Sequence, residues 1–116
     1  MGRVGRQSVA VPFTIPGERV RVEFTRVEGQ TLLIEVLRAS PHRVEAPCPH
    51  FGLSRRNATK AGPCGGCSWQ HIAYPEQLRL KTALVDRLVR AAVPAAPAVR
   101  PMMPSTPVDA PWGYRH

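Results

Sequence analysis

Arg19-Val20-Arg21-Val22-Glu23-Phe24-Thr25 sets the β character of the amino half of the chain. Val20, Val22 and Phe24 alternate with Arg19, Arg21, Glu23 and Thr25, the period-two pattern of a strand with one face buried. Downstream, Glu28-Gly29-Gln30 offers a turn, and Thr31 to Leu37 supplies a second run rich in β-formers. Upstream, Val9 to Phe13 reads as a shorter strand, stopped by the turn signal Ile15-Pro16-Gly17. Three strands with tight connections across residues 1–40 predict part of a small antiparallel barrel. They do not close a five-stranded OB-type barrel, so something is missing at the amino end.

Residues 41–73 are rich in turns. Pro41, Pro47, Pro49 and Pro63, together with the glycines, forbid long regular structure here. This segment holds all three cysteines, in Cys48-Pro49-His50-Phe51-Gly52 and in Cys64-Gly65-Gly66-Cys67-Ser68-Trp69-Gln70-His71. Cys64 and Cys67 flank a Gly-Gly pair that lets the backbone turn sharply, so both thiolates can reach one metal centre. Cys48 brings a third. Three soft sulfur ligands favour zinc or an iron–sulfur cluster over harder ions. A Cys3His zinc site with His50 or His71 is the rival on residue types alone, although His71 reads better as a capping or packing residue ahead of a helix. A disulfide with a spare thiol is disfavoured by the odd cysteine count and the lack of a secretory signal. Between the two cysteine groups, Arg55, Arg56 and Lys60 read equally well as phosphate contacts or as a solvated loop.

An amphipathic helix is expected over residues 74–93. Pro75 suits the first turn and Glu76 the positive end of the helix dipole. Leu78, Leu84, Val85, Leu88 and Ala92 form an apolar stripe for packing, and Arg79, Lys81, Arg87 and Arg90 form a basic face, more commonly solvated than bound to RNA. Residues 94–116 read as a linker: six of the thirteen prolines lie between Pro94 and Pro111. It runs into Pro111-Trp112-Gly113-Tyr114-Arg115, which points to a truncated protein. The fold class is therefore α+β: partial barrel, cysteine-rich loop, one helix and a Pro-rich linker.

Length and charge narrow the partners. At 116 residues the chain has a limited core, and a bound metal would add stability that burial alone does not supply. Sixteen Lys and Arg against eight Asp and Glu leave a net charge of +8, which draws polyanions, with RNA or DNA first among them. No apolar run approaches a membrane span, so the chain reads as soluble and cytoplasmic.

Together these segments resemble the amino-terminal part of the bacterial RNA uracil-5-methyltransferases. Val11-Pro12-Phe13 with Pro16-Gly17-Glu18-Arg19-Val20 resembles their TRAM domain, an OB-like RNA-binding barrel. Ser40-Pro41-His42-Arg43-Val44 and Pro47-Cys48-Pro49-His50-Phe51-Gly52 resemble the entry to their iron–sulfur motif. Cys64-Gly65-Gly66-Cys67, Trp69-Gln70-His71, Tyr74, Gln77-Leu78 and Lys81 resemble the family's stretch downstream of that entry. Pro111 to Arg115 resembles the start of a central domain. Five motifs appear in the family's order, from about residue 9 to the end.

The resemblance implies a [4Fe–4S] cluster with Cys48, Cys64 and Cys67 as three of its four ligands. The fourth would lie in a central domain beyond this chain, and a cluster on three protein thiolates would be exposed and labile. The gap between Cys48 and Cys64 is longer than the family's compact spacing. It further implies RNA binding, ribosomal or transfer, through the OB-like face, with Arg19, Arg21 and Arg43 joining Arg55, Arg56 and Lys60 as contacts. Methyl transfer in the family uses S-adenosylmethionine, a cysteine that adds to uracil and a carboxylate base. This chain offers no free cysteine for that role and no glycine-rich cofactor fold, so alone it is expected to be inactive. The expectation is thus a fragment of such an enzyme, completed by a separate polypeptide if the gene is split. A zinc-binding RNA module and a non-functional gene remnant are the alternatives.

Overall fold

A computed structural model describes residues 2–24, 31–52, 64 and 66–105. The turn at 28–30, the Leu53 to Pro63 stretch with Arg55, Arg56 and Lys60, and Pro111 to Arg115 lie outside the described residues. The chain divides into two units, Met1–Ile72 and Ala73–His116.

The first unit opens with a hairpin that its sequence pattern does not announce. Strands β1 (Gly2–Val4) and β2 (Gln7–Val9) pair antiparallel, Gly2 opposite Val9 and Val4 opposite Gln7. Gly5, at φ 58, leads the two-residue loop, the position where a type II′ turn demands positive φ. The strand expected over Val9 to Phe13 is therefore corrected: β2 ends at Val9, because Pro12 cannot donate to a ladder and Phe13 sits at φ 59. Next, Glu18 N donates to the Ile15 carbonyl at 3.2 Å, with Pro16 and then Gly17 (φ 90) at the centre, as a type II turn requires.

Strands β3 (Arg19–Phe24) and β4 (Thr31–Arg38) form the second hairpin. Val20 and Val22 are half-buried while Arg19, Arg21 and Glu23 are exposed, as alternation predicts. Phe24 departs from the pattern at 54 % exposure. Two register shifts explain the partner strand. Val20 pairs with Val36 after Arg19 pairs with Arg38, and Val22 pairs with Leu33 after Arg21 pairs with Glu35. Each shift leaves one extra residue on β4, namely Leu37 and Ile34, and a bulge turns that residue away from its neighbours' alternation. Both are exposed. Among the described residues the two hairpins are separate two-stranded sheets, and no ladder joins them into a barrel.

What holds the first unit together is mainly polar. The Glu18 side chain is 1 % exposed and its carboxylate accepts four hydrogen bonds. Oε1 takes Ser40 N at 3.1 Å and Arg43 Nε at 2.6 Å; Oε2 takes Ile15 N at 2.9 Å and Arg43 Nη2 at 2.7 Å. Arg43 Nη2 also donates to the Phe13 carbonyl at 2.9 Å. The Ser40–Arg43 turn is closed by Arg43 N to the Ser40 carbonyl at 3.0 Å, with Pro41 at its favoured second position. Past that turn, Arg43 bridges Ile72 antiparallel and Val44 N donates to the His71 carbonyl at 3.0 Å, so the cysteine segment leaves and returns at one point. Ile15 and Ile72, each 3 % exposed, are the buried apolar residues among those described.

In the second unit, helix α1 (Tyr74–Ala92) starts with Pro75 and Glu76 in its first turn, as expected. The residues expected to connect rather than fold run extended back along it. Asp86 Oδ1 accepts from Val99 N at 3.1 Å, Thr82 Oγ1 from Met102 N at 2.9 Å, and the Tyr74 hydroxyl from Ser105 N at 2.7 Å. The lengths agree: six residues of polyproline-like chain at about 3.1 Å each and twelve helical residues at about 1.5 Å each both span about 18 Å. The covered face carries Leu78, Thr82, Asp86 and Val89, all half-buried. Of the apolar stripe expected to pack, Leu78 lies on the covered face, while Leu84, Val85 and Leu88 do not, at 41 %, 39 % and 59 % exposure. Hydrogen-bond acceptors, rather than the apolar stripe, choose the face that the Pro-rich segment covers.

A buried, fully bonded carboxylate cannot lose its charge cheaply. Glu18→Gln is expected to lower the unfolding free energy by about 3 kcal/mol. Arg43→Lys keeps the charge but not the two-pronged geometry, and is expected to cost roughly half as much. Urea titrations followed by circular dichroism check both; losses under about 0.5 kcal/mol, the range of exposed pairs, would remove Glu18 from this role.

Candidate functional site

The cysteine loop is built on pinned ends. Cys48 is half-buried; its N–H donates to Gln70 Oε1 at 3.1 Å and its carbonyl accepts from Phe51 N at 3.1 Å, closing a turn with Pro49 inside it. Cys64 N donates to the His50 carbonyl at 3.2 Å, which draws the second cysteine group to the first. Gly66 N–H points at Cys64 Sγ, 3.5 Å away. Cys64 and Cys67 are exposed, and all three thiols are free. The donors suit a soft metal by type. Their placement does not: among the described residues no three His, Cys, Asp or Glu side chains gather closely enough to hold an ion.

His71 is 4 % exposed, and its ring stacks on Phe51 (centroids 5.5 Å apart, planes at 26°). Phe13 meets Phe51 edge-on at 5.3 Å and His71 at 6.4 Å. Neither imidazole nitrogen has a hydrogen-bond partner of good geometry. Burial pushes the His71 pKa below its ordinary 6.5; the nearby Thr14 backbone and the Glu18 charge work against this, and the Arg43 charge with it. His71 is thus a packing residue of the loop's base, and its nitrogens are not presented to the thiols. Glu18 moves the other way from what burial alone would do. Burial raises its pKa, but the Arg43 hydrogen bonds, the Ile15 and Ser40 amides and the Arg43 charge together hold it below 4.5.

The arginines separate by partner. Arg43 is turned inward onto Glu18 and the Phe13 carbonyl. Arg21 is exposed but pairs with Glu35 at 2.9 Å. Arg19 is exposed and sits opposite Arg38, and neither pairs with an acid among the described residues. On α1, Arg79 pairs with Glu76 and Arg90 with Asp86, which neutralises much of the expected basic face. Sequence reasoning missed Arg38, whose signal was its place at the end of β4 opposite Arg19. It also missed Glu18 as an anchor, for which an acid directly after Pro-Gly was the only cue.

These features describe a small basic β-hairpin unit carrying a thiol loop, and sequence comparison places the chain. Its relatives are RNA methyltransferases, a 23S rRNA uracil-C5 enzyme among them, and the chain matches the amino-terminal part of these longer proteins. An uncharacterized RNA methyltransferase of Halalkalibacterium halodurans is 35 % identical over 120 residues, 100 % of this chain and 23 % of the relative. One of Chlorobaculum tepidum is 41 % identical over 92 residues, 76 % of this chain and 17 % of that protein. A 23S rRNA uracil-C5 methyltransferase of Shewanella denitrificans is 33 % identical over 111 residues, covering 92 % of this chain and 21 % of its own length. The chain thus spans about a quarter or less of the relatives it matches. No family model and no solved structure matches it. No helix among the described residues is long and apolar enough to cross a membrane.

Because His71 folds neutral, with its pKa depressed, the unfolded chain binds more protons below pH 6.5. Stability is complete above that value and falls as pH drops from it toward the lower folded value. The thermal midpoint is expected to fall between pH 7.5 and 5.5 in the parent chain and to stay nearly level over the same window in His71→Phe. Parallel slopes in the two proteins would assign the acid sensitivity elsewhere.

Proposed function

We propose that this chain is the RNA-binding amino-terminal portion of an S-adenosylmethionine-dependent RNA uracil-C5 methyltransferase, inactive in methyl transfer by itself. The observation that carries the reading is its 33 % identity, across 92 % of its length, to a 23S rRNA uracil-C5 methyltransferase. The β3–β4 hairpin is the TRAM-type RNA-binding element. Arg19 and Arg38 lead its phosphate contacts, Arg21 contributes through an exposed pair, and Arg43 serves by holding the fold. Arg55, Arg56 and Lys60 belong to the same proposed surface. The central and catalytic domains follow on the same chain or on a separate polypeptide, in the cytoplasm.

Phosphate contacts release counterions, so affinity for single-stranded RNA falls with salt by about 0.7 of a logarithmic unit per contact and unit of log salt. The double variant Arg19→Ala/Arg38→Ala is expected to reduce that slope by about 1.4 without changing the thermal midpoint. An unchanged slope would move the RNA surface off this hairpin.

Cys48, Cys64 and Cys67 are proposed as three ligands of a [4Fe–4S] cluster. Three free thiols, two of them exposed, on a segment tied at Cys48 and Cys64 support this, and they must be drawn together to ligate one cluster. Anaerobic purification with iron, sulfide and zinc counts is expected to give near-equal iron and sulfide with broad visible absorption. Stoichiometric zinc without sulfide would make this a zinc module, and no metal with no cooperative melt would make it a remnant.

A further inference from the structure

The first unit holds a cleft that neither the cysteine loop nor the arginine pair uses. Its volume is about 260 Å³, and Phe13, Phe51, His71, Arg43 and Glu45 stand in its wall. Three features converge there. Phe13 is a bulky residue at φ 59, a conformation that persists only where its surroundings enforce it, and Arg43 Nη2 grips its carbonyl. His71 is buried with neither ring nitrogen in a well-formed hydrogen bond, an unfavourable arrangement that stacks its ring on Phe51. Phe13 and Phe51, thus fixed, are only half-buried, so ring surface remains open to the cleft. Backbone strain and a buried imidazole without a well-formed hydrogen bond, both at one place, mark a shape held for something other than stability.

The polar groups of the wall specify the occupant. Arg43 spends Nε and Nη2 on Glu18 and Phe13, while Nη1 makes no hydrogen bond to a described residue and keeps two donors. Glu45 is exposed and offers a carboxylate acceptor. An aromatic wall with one donor group and one acceptor group matches a flat heterocycle that carries a carbonyl beside an N–H. Leu33, Val44 and Ala46 also line the wall, but a purely aliphatic occupant would leave the Arg43 and Glu45 groups unpaired, and an anion would meet the Glu45 carboxylate.

The geometry points to a pocket for one unstacked RNA base, lying against Phe13 and Phe51 with its edge between Arg43 and Glu45. The inference rests on the RNA-binding reading above and adds where a base, as distinct from the phosphates, is held. Single-stranded RNA is commonly bound in this way, bases splayed onto aromatic side chains. His71 is a positioning residue that sets the Phe51 ring. Phe13 and Phe51 make the contact.

The test compares the full chain binding a short single-stranded RNA and an abasic oligoribonucleotide of the same length, at one salt concentration. Intact RNA is expected to bind roughly ten- to a hundredfold more tightly. Phe51→Leu should lose most of that difference while keeping its affinity for the abasic strand. Because that variant can perturb the small core, the parent chain supplies a second reading: nuclear magnetic resonance signals of the Phe13 and Phe51 rings should shift with intact RNA and not with the abasic strand. Equal affinities with unmoved rings would overturn the pocket and leave RNA binding standing. Ring shifts of equal size with both strands would overturn the base as occupant. Failure of both strands to bind would overturn pocket and RNA reading together.

Discussion

One carboxylate organises the first unit. Glu18 draws the Ile15 turn, the Ser40 turn and the Arg43 side chain onto a single buried point, and Arg43 passes the constraint on through its own backbone to Ile72. A buried ion pair is usually a weak source of stability, because desolvating both charges offsets their attraction. Here both oxygens carry two donors each, and the guanidinium meets them side by side, the arrangement in which charge-assisted bonds are strongest. The alternative to this geometry is an uncompensated charge in a buried site, so the network specifies one arrangement of three chain segments where apolar packing is thin.

That thinness shapes the site. Among the described residues the buried apolar side chains are Ile15 and Ile72, while the Glu18 side chain, 1 % exposed, sits at the centre of the network. Among the described residues the cysteine segment is held near its ends by short ties, Gln70 to Cys48 and Cys64 to His50. Cys64 and Cys67 are exposed as a consequence, while Cys48 is half-buried. The aromatic group of Phe13, Phe51 and His71 takes the place of a larger core beneath the loop, and it does so in conformations that favour shape over stability.

The net charge of +8 does not by itself place the surface available to a polyanion. Arg21, Arg43, Arg79 and Arg90 each pair with an acid of the same unit, two of them on the helix at i,i+3 and i,i+4 spacing. Exposed pairs of this kind are worth little to stability, yet they flatten the local potential. On the β3–β4 hairpin Arg19 faces Arg38, a like-charge pairing that a strand ladder tolerates only in solvent. Which arginines lack partners is a property of the fold rather than of composition.

Local chemistry was legible in the order of residues: alternation gave β3, Pro-Gly the turn before it, Pro75 and Glu76 the start of α1, and the spaced cysteines with their neighbours the family. Those signals act within a few residues of themselves, so they survive in one dimension. Reading failed wherever a contact over long separation decided the outcome. The β1–β2 hairpin rests on a two-residue loop with little hydrophobic pattern. The two bulges that turn Ile34 and Leu37 outward arise from register, which neither strand encodes alone. The Pro-rich segment looks like a linker until Thr82 and Asp86 accept its amides. The roles of Glu18 and Arg43, twenty-five residues apart, appear only when the chain brings them together. Sequence determined the elements and the kinship; tertiary structure decided which charges are spent, which thiols stay open and which rings line a cleft, because each depends on neighbours that only folding supplies.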